Sequence, residues 1–187
     1  RARARKKKPP YEKARAIAAS GKLDERAELA THEDLEPEIL YFFASDEAPE
    51  VRREVAENVG TPLQADKILA LDADEEVRFE LARKIGRLVP HLSAGENERL
   101  AQMAIDVLQI LAQDDLPRVR ATIAEELKRA TNVPTDIIRK LAHDVEEIVS
   151  APIIEYSPLL SDQDLLGIIA SGLAGAKLVV AAQRPKL

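Results

Sequence analysis

The chain has 187 residues, of which 45% are apolar and 3% aromatic, and it contains neither Cys nor Trp. This length is enough for one domain or a short repeat array, and the absence of Cys excludes disulfides and thiol chemistry. A composition poor in aromatic residues and rich in helix-forming ones favours packed helices over strands. No apolar run approaches the ~20 residues of a transmembrane helix and no signal peptide is evident, so we expect a cytoplasmic protein without a membrane span.

The first eight residues, RARARKKK, carry six positive charges, and removing them leaves 21 Lys and Arg against 33 Asp and Glu, a net charge of −12. Because an acidic body repels phosphate, nucleic-acid binding would depend on this tail, and we expect a nucleic-acid partner less than a protein partner. The tail fits a flexible leader, an arm for nucleic acid or an anionic membrane, or a strap for the acidic body of the same or another molecule. Its candidate binding residues are Arg1, Arg3, Arg5, Lys6, Lys7 and Lys8.

A repeated frame follows the tail. An Arg recurs at positions 26, 52, 78 and 120, and Ser150 takes the corresponding place in a degraded fifth copy. An apolar residue followed by Ala comes three and four places after each Arg. The turn residues Asp46, Asp72, Asp114 and Asp144 each lie five residues before a Val, whereas the first copy has Ser20 there.

Each frame predicts a helix. Val51, Val55 and Val59 share one helical face by their spacing, and Pro49 and Pro117 suit the first position of a helix. The segments PEILYFFAS and PLQADKILAL, which lie between frames, are also predicted to be helical. The repeating unit is therefore a helix, a short turn that holds the Asp, and a second helix.

The 42-residue interval between Arg78 and Arg120 predicts one longer helix, with a capping box at Ser93 and Glu96 and an apolar face at Leu100, Met103, Ala104, Val107, Leu108 and Leu111. Ser161 with Asp164 predicts a further helix start, and Gly172 a stop. We expect a basic tail in residues 1–10, a repeat array in 11–172, and the start of a further helical segment in 173–187. The initial Arg and this final segment lead us to expect a fragment of a longer protein.

These residues resemble HEAT-type helical repeats, whose consensus has an Asp in the turn and a Val-Arg pair early in the second helix. The 26-residue period and VRREVAENVGTP are similar to the leucine-rich variant repeat. The segments ILYFFASDEAPEVRREVAENVGTP, DADEEVRFELARKI, DDLPRVRATIAEELK and APIIEYSPLLSDQDLLGIIASG together resemble an alphaproteobacterial family whose domain has no established function, over roughly residues 11–187. The resemblance implies an all-α, right-handed α-α superhelix of the HEAT-like or armadillo-like kind and no mechanism, and family members usually continue beyond this segment.

The recurring Asp and Arg are interpreted as a ladder that sets the register between repeats. Each turn Asp can accept backbone N–H bonds while it pairs with an Arg of its own or a neighbouring repeat. The predicted members of the ladder are Asp46, Arg52, Asp72, Arg78, Asp114, Arg120 and Asp144. The alternative is that Arg26 and its equivalents bind phosphate.

Tyr41, Phe42 and Phe43 form the densest aromatic cluster. Three consecutive residues cannot all lie on one helical face, so core packing is the default interpretation and an exposed anchor for a partner the alternative. His32, His91 and His143 follow no metal-ligand spacing, and the acidic runs lack the spacing of an EF-hand. We expect no metal, no cofactor and no catalytic residue.

We therefore expect a non-catalytic scaffold that binds a protein through helix faces. Nucleic-acid binding through the tail or a basic concave face is the second hypothesis, and an enzyme or small-ligand binder the third. Because the apolar KLVVAA near the end has no polar cap, we also expect that end to contact a second copy or a following domain.

Overall fold

A computed structural model of the chain describes residues 7–92 and 98–171. These residues form helices and turns without a strand, which confirms the expected all-α class. The helices are α1 Tyr11–Ser20, α2 Leu23–Ala30, α3 Pro37–Phe43, α4 Pro49–Glu57, α5 Leu63–Leu69, α6 Glu75–Leu88, α7 Glu98–Leu111, α8 Pro117–Leu127, α9 Thr135–Ala142, α10 Glu147–Tyr156 and α11 Asp162–Ala170, with a 3-10 turn at Val89–His91 after α6. No helix of the described residues is both long and apolar enough to cross a membrane.

The chain divides into two compact units, residues 1–81 and 82–187, with the boundary inside α6. In the N-terminal unit α1 packs on α2 and α3, α3 packs on α4 and α5, and α2 packs on α4. In the C-terminal unit α8 packs on α7, α9 and α10, and α9 packs on α10. Four of these packings, α1 on α3, α2 on α4, α3 on α5 and α8 on α10, join helices that lie two places apart in the chain.

The apolar residues that recur in each frame are buried where these helices pack together. In α4, Pro49 lies in the first turn, and Val51, Val55 and Ala56 are fully buried. Val119, Ile123 and Ala124 are buried in the same way on α8. Full burial of one such Val or Ile side chain contributes about 1.5–3 kcal/mol, so these stripes stabilise the packing of successive helices.

The prediction that Val59 continues the face of α4 is wrong, since its side chain is 70% exposed. The helix ends before Asn58, whose Nδ2 donates to the carbonyl oxygens of Ala30 at 2.6 Å and His32 at 3.0 Å. The Oδ1 of Asn58 accepts from Gly60 N at 2.8 Å. A buried amide that ties two loops together thus ends the helix earlier than its apolar spacing suggests.

The longer helix expected between Arg78 and Arg120 is α7, which has 14 residues, and the frame helix before it, α6, also has 14. The predicted face of α7 is buried at Ala104, Val107, Leu108 and Leu111, whereas Leu100 is 40% exposed. The predicted capping box at Ser93 and Glu96 lies outside the described residues.

The start of α11 forms the predicted capping box. Asp164 N donates to Ser161 Oγ at 3.2 Å, and Ser161 N donates to Asp164 Oδ2 at 2.9 Å. Arg139 of α9 also donates to Asp164 Oδ1 at 2.8 Å, so this carboxylate ties α11 to α9. Gly172 and residues 173–187 lie outside the described residues.

Candidate functional site

Three of the recurring arginines each bind the turn aspartate of the following repeat through a two-pronged ion pair. The Nε of Arg52 donates to Asp72 Oδ2 at 2.6 Å, and its Nη2 donates to Asp72 Oδ1 at 3.0 Å. The same geometry joins Arg26 to Asp46 at 2.8 and 3.1 Å and Arg120 to Asp144 at 2.6 and 3.0 Å. We call these three pairs the inter-repeat ladder.

Each recurring arginine also binds the backbone of its own turn. Its Nη1 donates to the carbonyl oxygen six residues earlier at 2.7 Å: Asp46 for Arg52, Asp72 for Arg78 and Asp114 for Arg120. In the first copy, where the turn Asp is missing, Arg26 donates to Gly21 O at 2.8 Å. One guanidinium thus joins its own turn to the next one.

The turn aspartates close their own turns as well. The Oδ1 atoms of Asp46, Asp72, Asp114 and Asp144 each accept the backbone N–H two residues on, at 2.8–2.9 Å. Such an Asx turn fixes the carboxylate, so that an arginine finds it already oriented.

Burial and charge keep the ladder arginines paired. The side chains of Arg26, Arg52 and Arg120 are 14–17% exposed. Hydrogen bonds to their aspartates raise the pKa of all three guanidinium groups, and desolvation opposes this only in part. A phosphate would have to displace both a carboxylate and a backbone carbonyl to reach them, so the geometry favours the structural role over the phosphate alternative.

The fifth copy has no arginine at this place. Ser150 is fully buried on α10, and its Oγ donates at 3.2 Å to the carbonyl oxygen of Glu146, the N-cap residue of the same helix. The short serine side chain bonds to its own helix and cannot reach the turn of a following repeat. The fifth copy therefore lacks the arginine contact that the other copies make.

A second ion pair beside the ladder has no counterpart in the repeat pattern. Arg53 donates to Asp74 Oδ2 at 3.0 Å and to Oδ1 at 3.2 Å. Asp74 Oδ1 also accepts from the backbone N–H groups of Glu76 and Val77, which makes it the N-cap of α6. The bond from Arg53 lowers the pKa of Asp74, and the two capping N–H groups act in the same direction.

The aromatic cluster divides between core and surface. Phe43 is fully buried on the same side of α3 as Leu40, as the default interpretation of core packing expects. The alternative, an exposed anchor for a partner, is therefore wrong for Phe43. Tyr41 and Phe42 are 48% and 57% exposed.

Two apolar residues of the next repeat are also exposed. Ile68, which is 39% exposed on α5, lies 26 residues after Phe42 and so takes the same place in the repeat. Leu71 follows one turn later and is 73% exposed. We call Tyr41, Phe42, Ile68 and Leu71 the α3–α5 patch, since α3 packs on α5. The 26-residue period could have revealed Ile68 in advance.

The basic tail is described only from Lys7. Lys7 is exposed, whereas Lys8 Nζ donates to Asp34 O at 2.7 Å and to Glu36 Oε1 at 3.0 Å. Arg1, Arg3, Arg5 and Lys6 lie outside the described residues.

The histidines lie in a loop or at the end of a helix. His143 closes α9 with its Nδ1 2.8 Å from Arg139 O, and His32 lies in the α2–α3 loop. Within residues 7–92 and 98–171, no group of three or more His, Asp or Glu side chains is placed to hold a metal ion.

Comparisons of the chain with protein-family models, with curated proteins and with solved structures each gave no match. The resemblance to HEAT-like repeats and to the alphaproteobacterial family therefore stays a prediction from the residues quoted above.

Proposed function

We propose that the protein is a non-catalytic scaffold of HEAT-like repeats, stacked as a right-handed superhelix, that binds a protein partner through the α3–α5 patch. The single observation that carries this proposal is the exposure of Tyr41 and Phe42 on α3, of Ile68 on α5 and of Leu71 in the turn after α5, since α3 packs on α5. Exposed apolar and aromatic side chains that cluster are typical of protein interfaces, in which a few such anchors supply most of the binding energy.

The superhelix is supported by the repeated local geometry. Three ladder pairs of one form recur at helix pairs in both units. In each pair the arginine of one repeat is bound to the turn of the next, which is the nearest-neighbour contact on which a solenoid depends.

Acidic residues recur at one place on α2, α4 and α6 and disfavour nucleic acid as a ligand of these helices. Asp24, Glu50 and Glu76 occupy one place in successive repeats on α2, α4 and α6. Carboxylates in that place repel a phosphate backbone.

The test is capture with the tagged full chain, followed by titration of the purified partner. Phe42→Glu should weaken binding at least about tenfold, since a charge would be buried at the centre of the interface. Val59→Glu is the matched control, because Val59 is 70% exposed but lies outside the patch. This variant should bind the partner with the affinity of the wild type.

Equal affinities of the two variants would refute the patch as the binding surface. A partner that proves to be a nucleic acid, with an affinity that falls steeply with salt, would favour the second hypothesis.

A further inference from the structure

The side chains of the α2–α3 loop and the first turn of α3 are rich in negative charge. Glu33, Asp34, Glu36 and Glu38 lie there, and we call them the acidic edge. From residue 27 to residue 51 the chain has eight carboxylates and no Lys or Arg. A cation that balances this edge must therefore come from another part of the sequence.

Lys8 already occupies one end of the acidic edge. Its ammonium donates to the carbonyl oxygen of Asp34 at 2.7 Å and to Glu36 Oε1 at 3.0 Å, which lowers the pKa of Glu36. Lys8 is the last residue of the basic run RARARKKK, and Pro9 and Pro10 separate it from α1. The run thus reaches the body of the protein at the acidic edge.

One oxygen at this end has no partner. Glu36 Oε2 is buried and has no hydrogen bond among the described residues, although the side chain as a whole is 27% exposed. A carboxylate accepts at both oxygens, and an arginine fork or a second ammonium is the strongest donor for the unused one. The contact with Lys8 therefore uses one of the two oxygens of Glu36 and leaves the other without a donor.

The spacing of the tail suits an extended ligand of such a surface. In an extended segment alternate side chains point to the same side, so an extended RARAR would present Arg1, Arg3 and Arg5 together and the two Ala on the opposite side. Six residues reach at most about 20 Å, and the run starts from Lys8 at the edge itself.

We propose that the acidic edge is a docking surface for a Lys- and Arg-rich extended segment, and that residues 1–6 of the same chain occupy it by continuing the contact made by Lys8. The bound tail neutralises the edge and is held away from polyanions. The acidic edge adjoins the α3–α5 patch, since Glu38 lies four residues before Phe42 on α3. The proposal is carried by the contact of Lys8 with Asp34 and Glu36, so it does not depend on the partner proposed for that patch.

Tryptic cleavage of the tail in the full chain tests this proposal. The rate of cleavage within residues 1–7 is measured by mass spectrometry and divided by the rate for the free peptide RARARKKKPPY at the same salt concentration. The test variant is Glu33→Gln/Asp34→Asn/Glu36→Gln. The control is Asp115→Asn/Glu146→Gln/Glu147→Gln, which likewise removes one Asp and two Glu carboxylates, here from exposed positions in the C-terminal unit.

We expect the wild type and the control to be cleaved about tenfold more slowly than the free peptide, and the test variant to be cleaved at the peptide rate. In 1 M salt the wild type should behave like the test variant, which checks the result without any substitution. Cleavage of the wild type at the peptide rate, or equal rates in the two variants, would overturn the proposal. Protection that disappears on dilution would also overturn it, because the occupant would then be the tail of a second copy.

Discussion

Two adjacent arginines of α4 provide a matched pair for measuring the ladder. Arg52 and Arg53 each form a two-pronged ion pair with an aspartate before α6, namely Asp72 and Asp74. In the ladder pair the two side chains are 17% and 7% exposed, whereas in the second pair they are 40% and 23% exposed. Arg52 also donates to Asp46 O, a bond that has no counterpart at Arg53.

We expect Arg52→Ala to lower the free energy of unfolding by about 2–4 kcal/mol, since it leaves a buried carboxylate and a backbone carbonyl without their donor. Arg53→Ala should cost about 1 kcal/mol or less, because its pair is more solvated and Asp74 keeps its capping bonds. Both variants remove one positive charge from the same helix, so their effect on net charge is the same.

The measurement is urea unfolding followed by circular dichroism, with amide exchange of the α4 and α5–α6 peptides as the local readout. Arg52→Lys should fall between the wild type and Arg52→Ala, since a lysine keeps the charge and loses the fork. Equal destabilisation by Arg52→Ala and Arg53→Ala would refute the reasoning that burial and the backbone bond set the strength of the ladder.

Further predictions concern acid stability, the aromatic cluster and two glycines. Ser161 and Arg139 lower the pKa of Asp164 to about 2, against about 3.9 for a free Asp. The stability that this carboxylate contributes above pH 4 should therefore be lost as the pH falls toward 2. In unfolding curves measured at a series of pH values, Asp164→Asn should remove this part of the acid dependence. Phe43→Ala should cost about 3–5 kcal/mol in urea unfolding, whereas Phe42→Ala should change stability much less, because only Phe43 is fully buried. Gly60→Ala should destabilise the protein by about 1–3 kcal/mol, since the new Cβ would lie 2.1 Å from the carbonyl oxygen of Glu33. Gly167→Ala in α11 should stabilise it by up to about 1 kcal/mol, because nothing lies within 4 Å of the new Cβ. The two variants should therefore shift the thermal midpoint in opposite directions.

The helical class and the buried frame were predictable because they are periodic. A Val and an apolar-Ala pair at fixed offsets fix one face of a helix, and Val51 with Val55 are buried as expected. Val59 follows the same spacing but is exposed, because a single buried amide, Asn58, ends the helix and binds another loop. Periodicity alone does not detect such a long-range hydrogen bond.

The direction of the ladder was not predictable from the spacing. Asp46 lies 6 residues before Arg52 and 20 residues after Arg26, and both offsets recur in the chain. The structure directs the carboxylate of Asp46 to Arg26, while the arginine of its own repeat takes only its backbone oxygen. The Asx turn fixes this carboxylate by a bond from Ala48 N to Oδ1, and in that position both oxygens accept from Arg26.

The α3–α5 patch was half predictable. Three consecutive aromatic residues required that one point away from the others, but the sequence did not show which one. Phe43 is buried and Phe42 exposed because α3 packs its Leu40 and Phe43 side inward. Leu71, in the turn after α5, matches Ser45 in the preceding repeat, so no repeat pattern marked it.

Site-specific photo-crosslinking tests the central claim, partner binding through the α3–α5 patch, most directly. A photoreactive phenylalanine analogue is placed at position 42 of the full chain, and at position 59 in a control chain of otherwise identical sequence. We predict one discrete protein adduct from position 42, lost in the presence of Leu71→Glu, and none from position 59. The same adducts from both positions, or no adduct from position 42, would contradict the claim.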